Sequence, residues 1–112
     1  MSGKASRRKG LDYERAVARE LRDVFGDDVR RGMQFRDGAE APDVVAPCFW
    51  IECKRGKRTN PIAALKQATE ASDSKGLWPV AICKNDNEAA TATMSFEDFL
   101  ELVREWWSTR KS

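Results

Sequence analysis

Apolar positions along this chain follow two periods, 3.6 and 2, and each change of period marks a new element. Leu11, Val17, Ala18, Leu21, Val24 and Phe25 form a stripe at helical spacing, and Gly26 follows as a stop, so a helix is predicted over about 11–25. Val29, Arg31, Met33 and Phe35 alternate with Arg30, Gly32, Gln34 and Arg36, which fits a strand with one polar face. DGAEAP, residues 37–42, reads as a loop. DVVA and FWIECK predict two short strands around Pro47-Cys48. Asn60 is placed to cap an alanine-rich helix with Pro61 at its first position, and the small side chains let that helix approach a sheet closely. WPVAICK, residues 78–84, has the near-continuous apolar character of a strand buried on both faces. NDNEAA is a turn and TATM a short edge strand. Ser95 caps a last helix, with Asp98 three residues on, and Phe96, Phe99, Leu100, Val103, Trp106 and Trp107 are its expected core stripe. The predicted order is αβββαβ(β)α, an α/β fold.

Two features break this pattern. Glu14 lies seven residues before Leu21, two helical turns, and so falls on the apolar stripe, where a carboxylate is costly without a partner. Glu52 and Lys54 stand two apart in an otherwise apolar strand and share one face, while Ile51 and Cys53 share the other. A turn centred between Pro47 and Cys48 would pair residues whose numbers sum to 95. Val44 then faces Ile51, and Asp43 faces Glu52 with Cβ atoms about 4.5–5.5 Å apart. A half-step shift of the turn centre would send the two acids to opposite faces. Each acid also has an ordinary reading: Glu52 and Lys54 as a surface ion pair, Asp43 as a turn residue, Glu14 as the partner of an arginine.

Composition narrows the chemistry. The 112 residues suffice for one domain, 9–112, preceded by a basic arm over 1–8 that is expected to be flexible. The net charge of +2 is small but unevenly spread. Lys4, Arg7, Arg8 and Lys9 crowd the start, Lys54, Arg55, Lys57 and Arg58 crowd the middle, and acids gather in FEDFLELVRE. One basic face and a polyanionic partner are expected, although a solvated charged surface would give the same counts. No apolar run is long enough to span a membrane, and the basic start has no apolar core of a secretory signal. The three cysteines, Cys48, Cys53 and Cys83, lack metal-site spacing and read as reduced thiols of a cytoplasmic protein. There is no histidine. That removes Ser-His and Cys-His catalysis and any nuclease with a histidine base, and leaves a carboxylate, lysine, thiol or metal-bound water to act.

If Glu14, Asp43 and Glu52 converge, their mutual repulsion and lost solvation make the site unfavourable without a cation. Magnesium suits such a site, because it takes oxygen ligands, typically one or two carboxylates with waters and a substrate phosphate. The backbone carbonyl of Cys53 could add an oxygen. A metal there would supply an activated water and offset charge on a phosphate, with Lys54 beside the attacking water or the phosphorus.

Pro42-Asp43 followed by Glu52-Cys53-Lys54 resembles the PD-(D/E)XK nuclease motif. The flanks, RKGLDYERAVARELRDVFG, then VRR and PDVVA, are similar to those of the archaeal-type Holliday junction resolvases, over roughly residues 7–84. The resemblance implies a restriction-endonuclease-like core, a central mixed sheet flanked by helices. It also implies a homodimer that cuts four-way DNA junctions with paired symmetric nicks, using Mg2+ or, in its place, Mn2+, in a prokaryotic or phage-infected cell. It maps a helical Glu-Arg pair onto Glu14-Arg15, a strand arginine onto Arg30 or Arg31, and the catalytic and metal-binding acids and lysine onto Glu14, Asp43, Glu52 and Lys54. The loop over 36–42 would reach into the junction. Gln67 occupies a common accessory position of the superfamily, where an ordinary helix-surface glutamine is the simpler account. The expected DNA-binding set is Arg7, Arg8, Lys9, Arg15, Arg30, Arg31, Arg36, Arg55, Lys57 and Arg58. No membrane and no small-molecule cofactor are expected. Two rivals stand beside this reading: another nuclease of the same core, such as a nickase, repair or restriction-type enzyme, and a non-catalytic nucleic-acid-binding module. Trp106 and Trp107 suit a core stripe or a dimer face better than a platform for bases.

Overall fold

The computed structural model describes residues 3–32 and 41–111. Met33, Gln34, Phe35 and Arg36, the far half of the expected first strand, and most of the 36–42 loop lie outside the described residues. Eight elements follow one another: α1 (Gly3–Phe25), β1 (Arg30–Arg31), β2 (Val44–Ala46), β3 (Phe49–Gly56), α2 (Pro61–Ala71), β4 (Trp78–Asn85), β5 (Thr91–Thr93) and α3 (Phe96–Lys111). The order matches the periodicity, and the fold is α/β. The five strands form one mixed sheet in the order β1-β2-β3-β4-β5. Only β3 and β4 run parallel, and α2 is the crossover between them. Among the described residues, no helix is long and apolar enough to cross a membrane.

Local chemistry sets the boundaries. Gly26 ends α1 at φ +97°, donating its N–H to the Arg22 carbonyl at 2.8 Å. Asn60 caps α2, its side-chain oxygen accepting from Ala63 N–H at 3.0 Å, with Pro61 in the first turn. Ser95 does the same for α3 through Asp98 N–H at 3.1 Å. The start of α1 departs from expectation. Residues 3–8, assigned to a flexible arm, continue the helix, with no apolar stripe to announce it because the side chains described there are exposed.

The strand period then sorts side chains onto two faces. Ile51 and Cys53 of β3, Val44 and Ala46 of β2 and Ile82 of β4 pack against Val17, Ala18 and Leu21 of α1. On the other face Ala81 and Cys83 pack with Ala64 and Leu65 of α2, the alanine-rich helix lying close as expected. The third helix does not follow its stripe. None of its residues is buried, and Phe96, Phe99, Val103, Trp106 and Trp107 are exposed at 72, 46, 37, 54 and 51%. Of the expected core stripe only Leu100 is half-buried, and the rest is a solvent face.

The hairpin register is the one the turn centre predicts: Val44 pairs with Ile51, Val45 with Trp50 and Ala46 with Phe49, closed by Pro47-Cys48. Next to it, Gly32 donates its N–H to the Asp43 carbonyl at 2.9 Å. A Cβ at Gly32 would run into the Pro42 carbonyl, so only glycine lets the chain pass this close to the Pro42-Asp43 peptide. Gly32→Ala is therefore expected to cost about 1–3 kcal/mol through backbone displacement. Chemical denaturation checks it, and an unchanged midpoint would contradict the close packing.

Candidate metal and nucleic-acid site

The β2–β3 ladder ends where the chemistry begins. Asp43 N–H donates to Ile51 O at 2.8 Å, one residue short of the partner a continued ladder would use. The Asp43 side chain takes up the slack, with Oδ2 accepting from Cys53 N–H at 2.8 Å. A carboxylate thus replaces a strand carbonyl as the partner of β3, which fixes the orientation of Asp43. The Cys53 carbonyl leaves β3 on the same edge as its N–H, toward Asp43. The Cys53 thiol is on the opposite face in the core, where burial pushes its pKa above the ordinary thiol range.

Glu52 is 5% exposed, an unusual position for a carboxylate. Trp50, two residues back on the same face, donates its indole N–H to Glu52 Oε1 at 3.4 Å. Burial, and then the neighbouring Asp43 carboxylate, raise the Glu52 pKa from 4.5 to about 7; Trp50 and Lys54 pull the other way. The Asp43 carboxylate is therefore a close neighbour of Glu52, although the registered β2–β3 pairing stops at Val44 and Ile51.

Glu14 approaches from the other face of the sheet. It is half-buried on α1 and accepts from Arg31 Nε at 3.3 Å. Burial and the Asp43 charge raise its pKa, against the pull of Arg31 and Lys54. Glu14, Arg31, Asp43, Leu11 and Gly32 line a cleft of about 480 Å³. Asp43 thus lies near both other acids, sharing this cleft with Glu14 and acting on the charge of Glu52. Among the described residues no three acid or thiol side chains stand close enough to make a ready ligand set. A two-carboxylate site with a backbone carbonyl and waters still suits magnesium, and the paired, poorly solvated acids are the donor chemistry such an ion stabilises.

Lys54 continues the Trp50-Glu52 face, lining a second cleft with Arg55, Arg58, Thr59, Asn60 and Gln67. Gln67 is exposed on α2 beside it. Asp86, which sequence reading left as a turn residue, joins the two basic clusters: it pairs with Lys9 at 3.0 Å and with Arg55 at 2.8 Å. The N-terminal half of α1 and the 54–58 segment consequently meet at one end of the sheet, the end that carries Lys54. The neighbouring Asn85 accepts from both the N–H and the hydroxyl of Thr59 at 2.7 Å, pinning the start of the crossover. Arg7, Arg8, Lys57 and Arg58 are exposed and form no ion pair among the described residues. Arg15 pairs with Asp12 at 3.4 Å, Arg30 donates to Asp28 O at 3.4 Å, and Arg36 lies outside the described residues. Trp50 and Asp86 are the positions that sequence reasoning missed. The first had a signal, a tryptophan at i−2 on the face of the buried acid.

A scan against protein-family models, a search of curated proteins and a search of solved structures each return no match.

The elevated Glu52 pKa sets a pH dependence. Its folded value, about 7, lies above its ordinary 4.5, so the folded state favours the protonated acid. The associated stability is present below about pH 4.5 and is lost as pH rises through 7, by at most about 3 kcal/mol. In chelator, this part of the melting-temperature profile should fall between pH 5 and 8. Asp43→Asn should flatten it, and millimolar Mg2+ should raise the melting temperature of the wild type at pH 8. Identical profiles for wild type and variant would contradict the coupled pair.

Proposed function

We propose that the chain is a metal-dependent DNA endonuclease with a PD-(D/E)XK core that acts as a homodimer on branched DNA, four-way junctions above all. The observation that carries this reading is the closeness of the Asp43 and Glu52 carboxylates where the β2–β3 ladder stops, with Asp43 fixed by the Cys53 N–H and Lys54 on the same strand face as Glu52. Asp43, Glu52 and the Cys53 carbonyl would hold a Mg2+ or Mn2+ ion, with Glu14 behind Asp43. When bound, such an ion supplies an acidified water and charge neutralisation at the scissile phosphate. The residues of the chain do the rest. Cys53 N–H keeps Asp43 aimed at Glu52, and Trp50 steadies the Glu52 carboxylate. Arg31 pairs with Glu14 and opposes the rise of its pKa. Lys54 neutralises charge that develops at the phosphorus. Arg7, Arg8, Lys57 and Arg58 contact phosphates beside the acids, and Asp86 keeps their two segments together. The preference for a junction over other DNA rests on the resemblance of the flanking segments.

A non-catalytic nucleic-acid-binding module is the second reading, favoured by the lack of a three-acid ligand group among the described residues. One experiment separates the two. Labelled four-way junction, flap and linear duplex are incubated with the protein, with and without Mg2+. Paired symmetric nicks in the junction are expected, with cleavage by Asp43→Asn and Lys54→Ala reduced at least ~10³-fold while junction binding persists. Equal cutting of linear duplex would move the reading to another nuclease of the same core. Binding without any cleavage would support the module.

A further inference from the structure

The third helix leaves most of its apolar stripe uncovered by its own chain. It sits loosely on the rest of the chain: Asp98, Leu100 and Leu102 are half-buried, Trp78 Nε1 donates to Glu101 Oε2 at 3.1 Å, and Glu105 lies near enough to Cys48 to raise its thiol pKa, after burial. Its outward side carries Phe96, Phe99, Val103 and Trp106, spaced three and four apart, with Trp107 beside them. This is the seam of a helix made to pack on another helix. Four exposed aromatic residues on sixteen helical positions form a patch that water solvates poorly. Phe96 and Phe99 stack on each other, while Arg110 and Lys111 lie over Trp106 and Trp107 at 4.9 and 5.6 Å.

Charge along α3 selects the occupant. The first turn carries Glu97 and Asp98, and the last turn carries Arg110 and Lys111. A second copy laid antiparallel sets each acidic end against the basic end of its partner and opposes the two helix dipoles. A parallel copy would set like against like. A two-fold axis near Val103 faces Phe99 with the partner's Trp107, so the aromatic seam is complementary to itself.

We propose that α3 is the self-association surface of this protein, pairing antiparallel with α3 of a second copy through Phe96, Phe99, Val103 and Trp106. The proposal gives a surface to the homodimer of the nuclease reading, on which it rests only for that link, since the argument uses α3 alone. Every substitution in such an interface acts twice, once on each side of the axis.

Sedimentation of the full chain, without DNA or metal, tests it. The wild type is expected to be dimeric, and Trp106→Glu monomeric with an unchanged far-ultraviolet spectrum, because the side chain is exposed in the monomer. Glu97→Lys and Lys111→Glu should each weaken the dimer about tenfold, and the double variant should recover most of the loss. A monomeric wild type, or a dimer indifferent to both Trp106→Glu and the charge swaps, would overturn the proposal. A normal α3 dimer with no nuclease activity would sink the nuclease reading and leave this one standing. Cleavage by a dimer that ignores α3 would do the reverse.

Discussion

A single hydrogen bond, from the amide of Cys53 to the carboxylate of Asp43, holds the candidate site in place. At the end of a two-stranded ladder the last backbone groups need partners, and here a side chain supplies one. The consequence is electrostatic. Asp43 cannot turn to solvent without orphaning a partly buried amide, and Glu52, two residues from the Trp50-Val45 pair, cannot leave its strand face. Two like charges are therefore held together where water is scarce, and the structure carries that strain as a raised Glu52 pKa. Hairpin register, Gly32, Trp50 and Arg31 all serve to place or tolerate this pair.

The rest of the architecture makes the pair reachable. β3 carries the core on one face, through Ile51 and Cys53, and the charged groups on the other, through Glu52 and Lys54. An alternating strand with α1 on one side and an alanine-rich α2 on the other can do both at once. Asp86 then draws the basic start of α1 to the basic end of β3, so that positive charge gathers at the Lys54 end of the strand.

Much of this was legible from residue spacing, and the parts that were not have physical reasons. The turn centre at Pro47-Cys48 specified the register, because a period of two admits no compromise between faces. Caps at Asn60 and Ser95 and the stop at Gly26 are local chemistry and came out where expected. The position of Glu14 on a stripe implied a partner, and Arg31 is that partner. In contrast, GKASRRKG has no stripe, so its helicity left no periodic trace. The seam on α3 was visible, but periodicity shows only that a helix has an apolar face, not whether its own chain covers it. Convergence of three acids was expected, and Asp43 lies near both others, Glu14 coming from the α1 side and Glu52 from the strand face toward α2. Asp86 was missed because its partners lie 31 and 77 positions away, beyond any local pattern.

The most direct measurement is anomalous diffraction from crystals grown with Mn2+. The account predicts a manganese peak between the Asp43 and Glu52 carboxylates, with the Cys53 carbonyl as a further oxygen ligand, absent in Asp43→Asn. Well-ordered Asp43 and Glu52 side chains at pH 8, with no manganese peak between them at millimolar concentration, would contradict it.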